Sequence, residues 1–479
     1  MPLVLGVDSS TQSTKVELRD ADDGTLVGAG RAPHPTVSPP RSEQDPTAWW
    51  EALRLAAAQA TADGSRRVDA LAVAGQQHGM VVLDGDGRVL RPAKLWNDTE
   101  SAPEAGALVE RLGAAAWAAR TGSVPLAAFT VTKLAWLQHH EPEVAAAVRS
   151  VLLPHDYLTY RLTGRRVTDR GDASGTGYFD PSGGGWLFDL LDDAVGPADW
   201  SARLPTVLGP VEAAGALDAG GRDGLGIGPV EVVGPGTGDN MAAALGIGLR
   251  PGQACISLGT SGTAYARSDR PTGDPTGAVA GFADATGGFL PLVCTLNATR
   301  VTDTVAGLVG TTAPGLDGLA LSQPTGSSGL TLLPYLDGER TPDRPSATGV
   351  FAGLRTGATR EQLALAAFEG VVCGLLDALD ALAGHAALDA TAPLLLVGGG
   401  ARAAAYRRAL ADLSGRAVEV PEVEEAVAAG ACVQAAAVLS GRRPDDVRAG
   451  WDLGGSVTLD PDPGVDPGPV RAAYAELRG

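Results

Sequence analysis

A two-domain α/β fold is expected of this chain on three observations. Its 479 residues are more than one hydrophobic core ordinarily organises. Short apolar runs bounded by glycine and hydroxyl turns alternate with longer stretches of helical periodicity. The pattern that opens the chain (strand, small polar tip, strand) also opens its second half, at 254–267. This repeat opens the second half of the chain at Gly252; a first domain is expected at 1–246, a second at 247–441 and a tail at 442–479.

In chain order, residues 3–7 are apolar and end at Asp8, so they read as a buried strand. Residues 14–18 alternate Lys15 and Glu17 with Val16 and Leu18, as a return strand does. The tip between them, 9–13, is small and polar; its hydroxyls and N–H groups suit a phosphate, but taken alone the piece reads first as an ordinary polar hairpin. Residues 31–41 are proline-rich and read as irregular. Asp45-Pro46 opens a helix to about residue 62, with proline at its first position. A buried strand at 68–74 runs into Gly75-Gln-Gln-His78-Gly79. Gln77 and His78 there can hydrogen-bond a polyol, although a lone histidine is more often structural than a ligand. Lys94-Leu-Trp96-Asn97-Asp98 sets a flat apolar face beside an acceptor, a pairing found in sugar sites and in cores alike. Helical periodicity fills 102–119 and 132–150, broken near Pro142. Residues 152–156 read as strand and 157–162 as helix. A strand at 230–233 leads through Gly234-Pro-Gly-Thr-Gly to Asp239-Asn240, followed by a small-residue helix to 247.

The second half repeats the hairpin: a strand at 254–258, the tip Ser257-Leu-Gly-Thr-Ser-Gly-Thr263, and a return at 264–267. Thr359-Arg-Glu-Gln362 is a capping box opening the strongest helix, 360–382. Gly370 and Gly374 lie on its apolar face. Each costs on the order of 1 kcal/mol relative to alanine, so another element is expected to pack closely there. A strand at 394–397 ends in Gly398-Gly-Gly400-Ala-Arg402, where a flat ring can lie against backbone, and a helix follows to 413. A strand at 418–420 and a small-residue helix at 422–438 complete the domain. The tail from Arg442, rich in proline, glycine and aspartate, reads as a loose surface segment.

Composition narrows the function. A net charge of −19 and a pI near 4.7 repel nucleic acid and anionic membranes, while local turns and Mg²⁺ still allow a nucleotide. The four cysteines are too far apart in sequence for a zinc pair or a C-x-x-C motif and read as buried thiols in a reducing cytosol. No secretory signal opens the chain, and no stretch reads as a membrane span. Walker A, protein-kinase and G-x-S-x-G motifs are absent from the sequence. What remains is two hydroxyl-rich hairpins, a glycine strand-to-helix turn, and carboxylates Asp8 and Asp239 at strand ends. Phosphoryl transfer needs such parts: donors around the phosphates, a metal to neutralise charge, and a base to orient the attacking hydroxyl. The hairpin tips and the Asp239 turn are therefore expected to face one another.

Ten motifs, in order, extend this reading into a resemblance. They are Gly6-Val-Asp8, Ser42-Glu-Gln-Asp-Pro46, Ala74-Gly-Gln-Gln-His78-Gly79, Leu95-Trp-Asn-Asp98, Leu153-Pro-His-Asp-Tyr157, Gly238-Asp-Asn240, Leu258-Gly-Thr-Ser-Gly262, Leu333-Pro-Tyr-Leu-Asp-Gly-Glu-Arg-Thr-Pro342, Phe368-Glu-Gly370 and Gly398-Gly-Gly-Ala-Arg402. With them the chain resembles the FGGY carbohydrate kinases, and among these the xylulokinases most. The resemblance implies two actin-like (ribonuclease H-like) α/β domains flanking a catalytic cleft, ATP and Mg²⁺, and phosphorylation of D-xylulose at O5. It implies that Asp239 is the general base and that Asp8, with Asp239, attends the phosphates and the metal. It assigns Gln77, His78, Trp96, Asp98, Asp239 and Asn240 to the sugar. Thr11, Gln12, Ser13, Thr14 and Lys15 would form the first phosphate loop and Thr260, Ser261, Gly262 and Thr263 the second. Gly399, Gly400 and Arg402 would line the adenosine pocket.

The first loop departs from the family's usual Asp-Leu-Gly-Thr-Ser-Gly-Val-Lys, so side chains are expected to crowd its tip. The implied partners are the sugar and ATP in the cytoplasm, with no nucleic acid and no membrane; a homodimer is compatible with the reading. The alternatives are a kinase of the same family for ribulose, fuculose, gluconate or a similar polyol, and a catalytically silent actin-like nucleotide-binding protein.

Overall fold

Both hairpins read from the sequence form. In the computed structural model, which describes residues 1–62, 64–327 and 329–479, Leu3–Ser9 and Ser13–Asp20 pair antiparallel with Asp8 opposite Lys15. Ala254–Leu258 pairs with Gly262–Ala266 in the same way, Ser257 opposite Thr263. Each hairpin seeds one of two units. The first comprises Met1–Gly248, Pro271–Leu290 and Val423–Leu453; the second comprises Leu249–Arg270, Pro291–Glu422 and Gly454–Gly479.

In the first unit the strand order is Val232–Val233, Ala70–Gly75, Leu3–Ser9, Ser13–Asp20, Leu26–Pro33, with Thr237–Gly238 also pairing with Ala70–Gly75. The parallel register aligns three strand ends: Asp8 and Thr237 both lie opposite Ala74, and Gly238 lies opposite Gly75. Three chain segments therefore leave the sheet side by side, at the edge where ligands bind open α/β sheets.

One sheet face is covered by Pro46–Ala60 and Pro154–Thr163, which bury Trp49, Leu53, Tyr157 and Leu158 against Leu5, Val7, Val16, Leu71 and Val73. The other face is covered by Ala426–Ser440, so closely that a Cβ on Gly6 would lie 2.1 Å from the Ala428 carbonyl oxygen. The same helix carries Asp239–Gly246. A Cβ on Gly430 would lie 1.9 Å from the Ala242 oxygen, and one on Gly246 2.0 Å from the Ala426 oxygen. Backbone meets backbone at this crossing, which explains its small residues.

The structure corrects several readings. Residues 31–41 are not irregular throughout, because the edge strand Leu26–Pro33 runs into them. Glycines replace the usual β-branched residues in that strand, since a Cβ on Gly28 or Gly30 would lie about 2 Å from the Ala60 and Ala56 oxygens of the covering helix. Residues 154–156 are helical rather than extended: Pro154 opens the helix and the Asp156 carboxylate accepts from the Leu153 N–H at 2.8 Å.

In the second unit, Phe289–Thr295, Gly262–Ala266, Ala254–Leu258, Leu394–Val397, Val418–Pro421 and Ser456–Leu459 are neighbours in that order. Ala254–Leu258 pairs parallel with Leu394–Val397, as Leu3–Ser9 pairs with Ala70–Gly75. The expected repeat is thus one of topology. The long helix spans Arg360–His385, and both capping-box bonds form. Its glycines meet the expected neighbours: a Cβ on Gly370 would lie 2.3 Å from the Leu332 oxygen, and one on Gly374 3.1 Å from the Tyr474 hydroxyl. By length and composition this helix could cross a membrane, contrary to the sequence reading. However, 78% of its apolar window is buried within the protein, as in a core helix.

Nor is the segment after Arg442 loose. It forms Pro444–Gly450 in the first unit and Ser456–Leu459 and Gly468–Arg478 in the second. Arg471 and Arg478 bond Asp377 of the long helix at 3.3 and 2.6 Å, and Tyr474 is buried between them. This amphipathic pattern at 468–478 is masked in sequence by the proline and aspartate around it.

Gly430→Ala places a methyl group where the Ala242 carbonyl stands. The expected outcome is a loss of about 1–3 kcal/mol, the usual cost of overpacking, measured by denaturant unfolding against the wild type.

Candidate active site

The sheet register delivers Asp8, Gln76-Gln77 and Asp239 to one edge of the first unit. Asp239 is the first residue of Asp239–Gly246 and is half-buried. Its Oδ1 accepts from the Asn240 N–H at 2.8 Å and from Asn240 Nδ2 at 3.1 Å. Asn240 Nδ2 also donates to Gln77 Oε1 at 2.9 Å, which ties the two sequence motifs together. Burial, with the negative charges of Asp8 and Asp172, pushes the Asp239 carboxyl up to about 7. A carboxylate poised near neutrality can take a proton from an alcohol and return it.

Asp8 is buried and stands at the start of the first hairpin tip. Its Oδ2 lies 3.5 Å from Lys15 Nζ, while its Oδ1 is buried without a hydrogen-bond partner. Burial raises it to about 6 against the pull of Lys15, with Glu425 adding to the rise. Lys15 donates to Glu425 Oε2 at 2.6 Å. Sequence reading does not find Glu425: it lies 410 residues away, and nothing local to it in sequence pairs it with the hairpin.

Around the first tip, Ser10, Thr11 and Gln12 keep accessible side chains while the flanking residues turn inward. Ser9, Ser13 and Thr14 are buried, and Thr14 Oγ1 lies 2.8 Å from His34 Nε2. Burial lowers His34 to about 4, so this ring is neutral near pH 7. Thr11 Oγ1 donates to Gln76 Oε1 at 3.1 Å and accepts from Trp96 Nε1 at 2.9 Å, while Gln12 is exposed. The hairpin tip and the Trp96 ring, 42% exposed, are thus bonded to each other.

Of the other sugar-side candidates, Gln77 is buried and His78 half-buried beside it. Asp98 is sealed from solvent, with Oδ2 accepting from the Ser42 N–H at 2.8 Å and Oδ1 from Lys94 Nζ and the Glu100 N–H, each at 3.1 Å. Glu43, Asp98 and Glu100 are spaced for a metal ion. The buried Lys94 ammonium, 3.2, 3.1 and 2.5 Å from them, already supplies the cation.

Beneath this edge lies a buried cluster that sequence reading does not assemble. His155 Nδ1 is 2.8 Å from Asp172 Oδ2, with Asp156 at 3.1 Å and Asp169 at 3.9 Å from Nε2. Burial opposes the imidazolium, but the charges of Asp156, Asp172 and Asp169 outweigh it and lift His155 to about 9. Asp169 caps its own helix through the Gly171 and Asp172 N–H groups and accepts from Thr237 Oγ1 at 2.7 Å, two residues before Asp239. The Leu153-Pro-His-Asp-Tyr157 motif is the available signal; reading it as a strand hides the clustering.

The second unit brings its own candidates together. At the tip 259–261, Gly259 and Thr260 are exposed, and the Gly259 carbonyl accepts from Thr299 Oγ1 at 2.9 Å. Ser261 and Thr263 are half-buried and Gly262 is buried. The glycine turn packs on this hairpin: Gly398 has φ +90°, and a Cβ there would lie 2.5 Å from the Leu258 oxygen. Gly399–Arg402 is a short 3₁₀ turn, followed by the helix Ala404–Ser414. Gly399 faces open space and Arg402 is exposed, whereas Gly400 is buried against Leu258.

Residues 3–246 match the N-terminal domain, and residues 254–439 the C-terminal domain, of the FGGY family of carbohydrate kinases. The chain belongs to that family. It is 52% identical to a xylulose kinase of Streptomyces coelicolor over 466 residues, covering 96% of this chain and 92% of the relative. It is 36% identical to a xylulose kinase of Haemophilus influenzae, covering 90% of each. Among solved structures, the xylulose kinase of Bifidobacterium adolescentis superposes with a TM-score of 0.87 at 41% identity, covering 100% of this chain and 99% of that one. The fold is accordingly the two-domain, actin-like fold of the FGGY kinases.

The Asp239 environment predicts a pH signature in stability. A carboxyl raised in the folded state favours folding below the unfolded value, about 4, and loses that contribution as pH rises through about 7. Asp239→Asn removes the penalty. Its thermal midpoint should match the wild type below about pH 4 and exceed it above about pH 7.

Proposed function

We propose that the protein transfers the γ-phosphoryl group of ATP to O5 of D-xylulose, in the cytoplasm. The carrying observation is Asp239: a carboxyl raised to about 7 on the strand ends that also deliver Asp8 and Gln77-His78. Support for the sugar comes from the names of the relatives at 52% and 36% identity, which cover most of this chain, and from the Gln77-His78 dipeptide.

In this reading Asp239 takes the proton from the 5-hydroxyl as that oxygen attacks phosphorus, the phosphoryl group moves to O5, and ADP leaves. Asn240 holds the carboxylate through two hydrogen bonds and, through Gln77, sets its distance from the sugar dipeptide. Trp96 supplies an apolar face for the carbon chain, fixed by its bond to Thr11. The first hairpin, Thr11 to Lys15, holds phosphates with backbone N–H groups and the Lys15 ammonium, and the second, Thr260 to Thr263, with backbone N–H groups and hydroxyls. Gly399, Gly400 and Arg402 receive the adenosine.

Mg²⁺ fits the residues present. Asp8 has a buried oxygen without a hydrogen-bond partner, and Asp239 is the second carboxylate whose charge acts on the same site. These two would hold the ion, directly or through water; when bound, it neutralises charge on the transferring phosphate. Lys15, on Glu425 at 2.6 Å and 3.5 Å from Asp8, is the cation beside this pair.

Asp239→Asn should lower kcat with D-xylulose by about 10²–10⁴-fold, the usual share of a general base, measured as sugar-dependent ADP release. Unchanged turnover would remove the base, and no turnover of D-xylulose in a panel with ribulose, fuculose and gluconate would remove the sugar. Glu425→Gln frees Lys15 for phosphate, so the KM for ATP should fall, by up to about fivefold for a partly exposed ion pair.

A further inference from the structure

His78 is held through both its backbone and its ring. Its backbone has φ +65°; Ala62 is the only other non-glycine with positive φ among the described residues. The left-handed region is disfavoured for any residue with a Cβ, and the surroundings must impose it. The His78 carbonyl accepts from Thr130 Oγ1 at 3.1 Å and Lys133 Nζ at 3.2 Å, both from Thr130–His140. Lys133 also donates to the Ala128 carbonyl. On the ring, Nδ1 donates to the Gly175 carbonyl at 2.7 Å. One face stacks on Phe129, centroids 5.0 Å apart, and Phe282 leans on the ring at 5.6 Å. A Cβ on Gly175 would lie 2.6 Å from the ring, so the glycine is what lets the imidazole in.

Lys133 has no exposed surface. Burial pulls it down to about 7, and either protonation state still donates. A buried lysine bonded to carbonyls is a poor stabilising device, since an apolar side chain of the same length avoids its desolvation. What Lys133 does provide is a fixed donor beneath a strained residue.

We propose that Lys133, assisted by Thr130, is a positioning residue for sugar selection: it fixes the His78 backbone so that the imidazole meets the ketose in one orientation. The proposal rests on the reading of His78 as a sugar contact. Lys133 itself touches no substrate.

A double-mutant cycle tests it. Lys133→Met should raise the KM for D-xylulose about tenfold while leaving the KM for ATP within about twofold. In a His78→Ala background the same substitution should change the KM for D-xylulose less than about twofold, because there is no imidazole left to misplace. An unchanged KM in the wild-type background, or an equal rise in both backgrounds, overturns the positioning role. If His78→Ala alone leaves the KM for D-xylulose unchanged, the sugar-contact reading fails and the proposal falls with it. Should Lys133→Met not fold, Thr130→Val, which deletes one hydroxyl, is read by the same cycle and the same criteria.

Discussion

The parallel register of Leu3–Ser9, Ala70–Gly75 and Thr237–Gly238 is the constraint on which the first unit's chemistry depends. Strand pairing fixes position along the chain to within one residue, and a slip would turn side chains to the opposite face. Because Asp8 and Thr237 share Ala74 as neighbour, the charge of Asp8 acts on the Asp239 carboxyl. The helix that begins at Asp239 cannot relax away, since its backbone rests on Gly430 of Ala426–Ser440. The proton affinity of Asp239 near neutrality is thus a product of packing: burial and the neighbouring charges of Asp8 and Asp172 raise it.

Opposing this are cations placed at measured distances. Lys15 stands between Asp8 and Glu425, and His155 is held by three aspartates under the strand ends. The chain is strongly acidic overall, yet it sets some of its positive groups where carboxylates must be kept in place. Lys94 does the same for Glu43, Asp98 and Glu100. In each case the lysine or histidine substitutes for solvent that the packing has removed.

Much of this is legible in sequence because it depends on local patterns. Asp8, Asp239 and the two hairpins follow from apolar runs that end in glycine and hydroxyl turns, and the capping box at Thr359 forms as its spacing predicts. Edge strand Leu26–Pro33 escapes notice because close helix packing demands glycine where strand propensity wants β-branched residues. The start of Pro154–Thr163 is easily misplaced because three apolar residues precede its proline. Glu425, Lys133 and Phe282 are invisible for another reason. Their partners lie tens to hundreds of residues away, and no periodicity encodes such a pairing. Asp98 is legible as an acceptor but not as a buried one, since its neutralising partner Lys94 reads equally well as a surface residue.

The helix Ala426–Ser440, which covers the Gly6 face of the first sheet, is made near the end of the chain. A ribosome that has released residues 1–248 has therefore exposed a sheet whose second layer does not yet exist. Val4, Gly6 and Ala72 must wait for more than 170 further residues, among them most of the second unit, before that surface is closed. Maturation of the two units is consequently interleaved: the first cannot be finished until the second has nearly all emerged, and a truncation before residue 423 leaves an apolar face open to aggregation or chaperone capture.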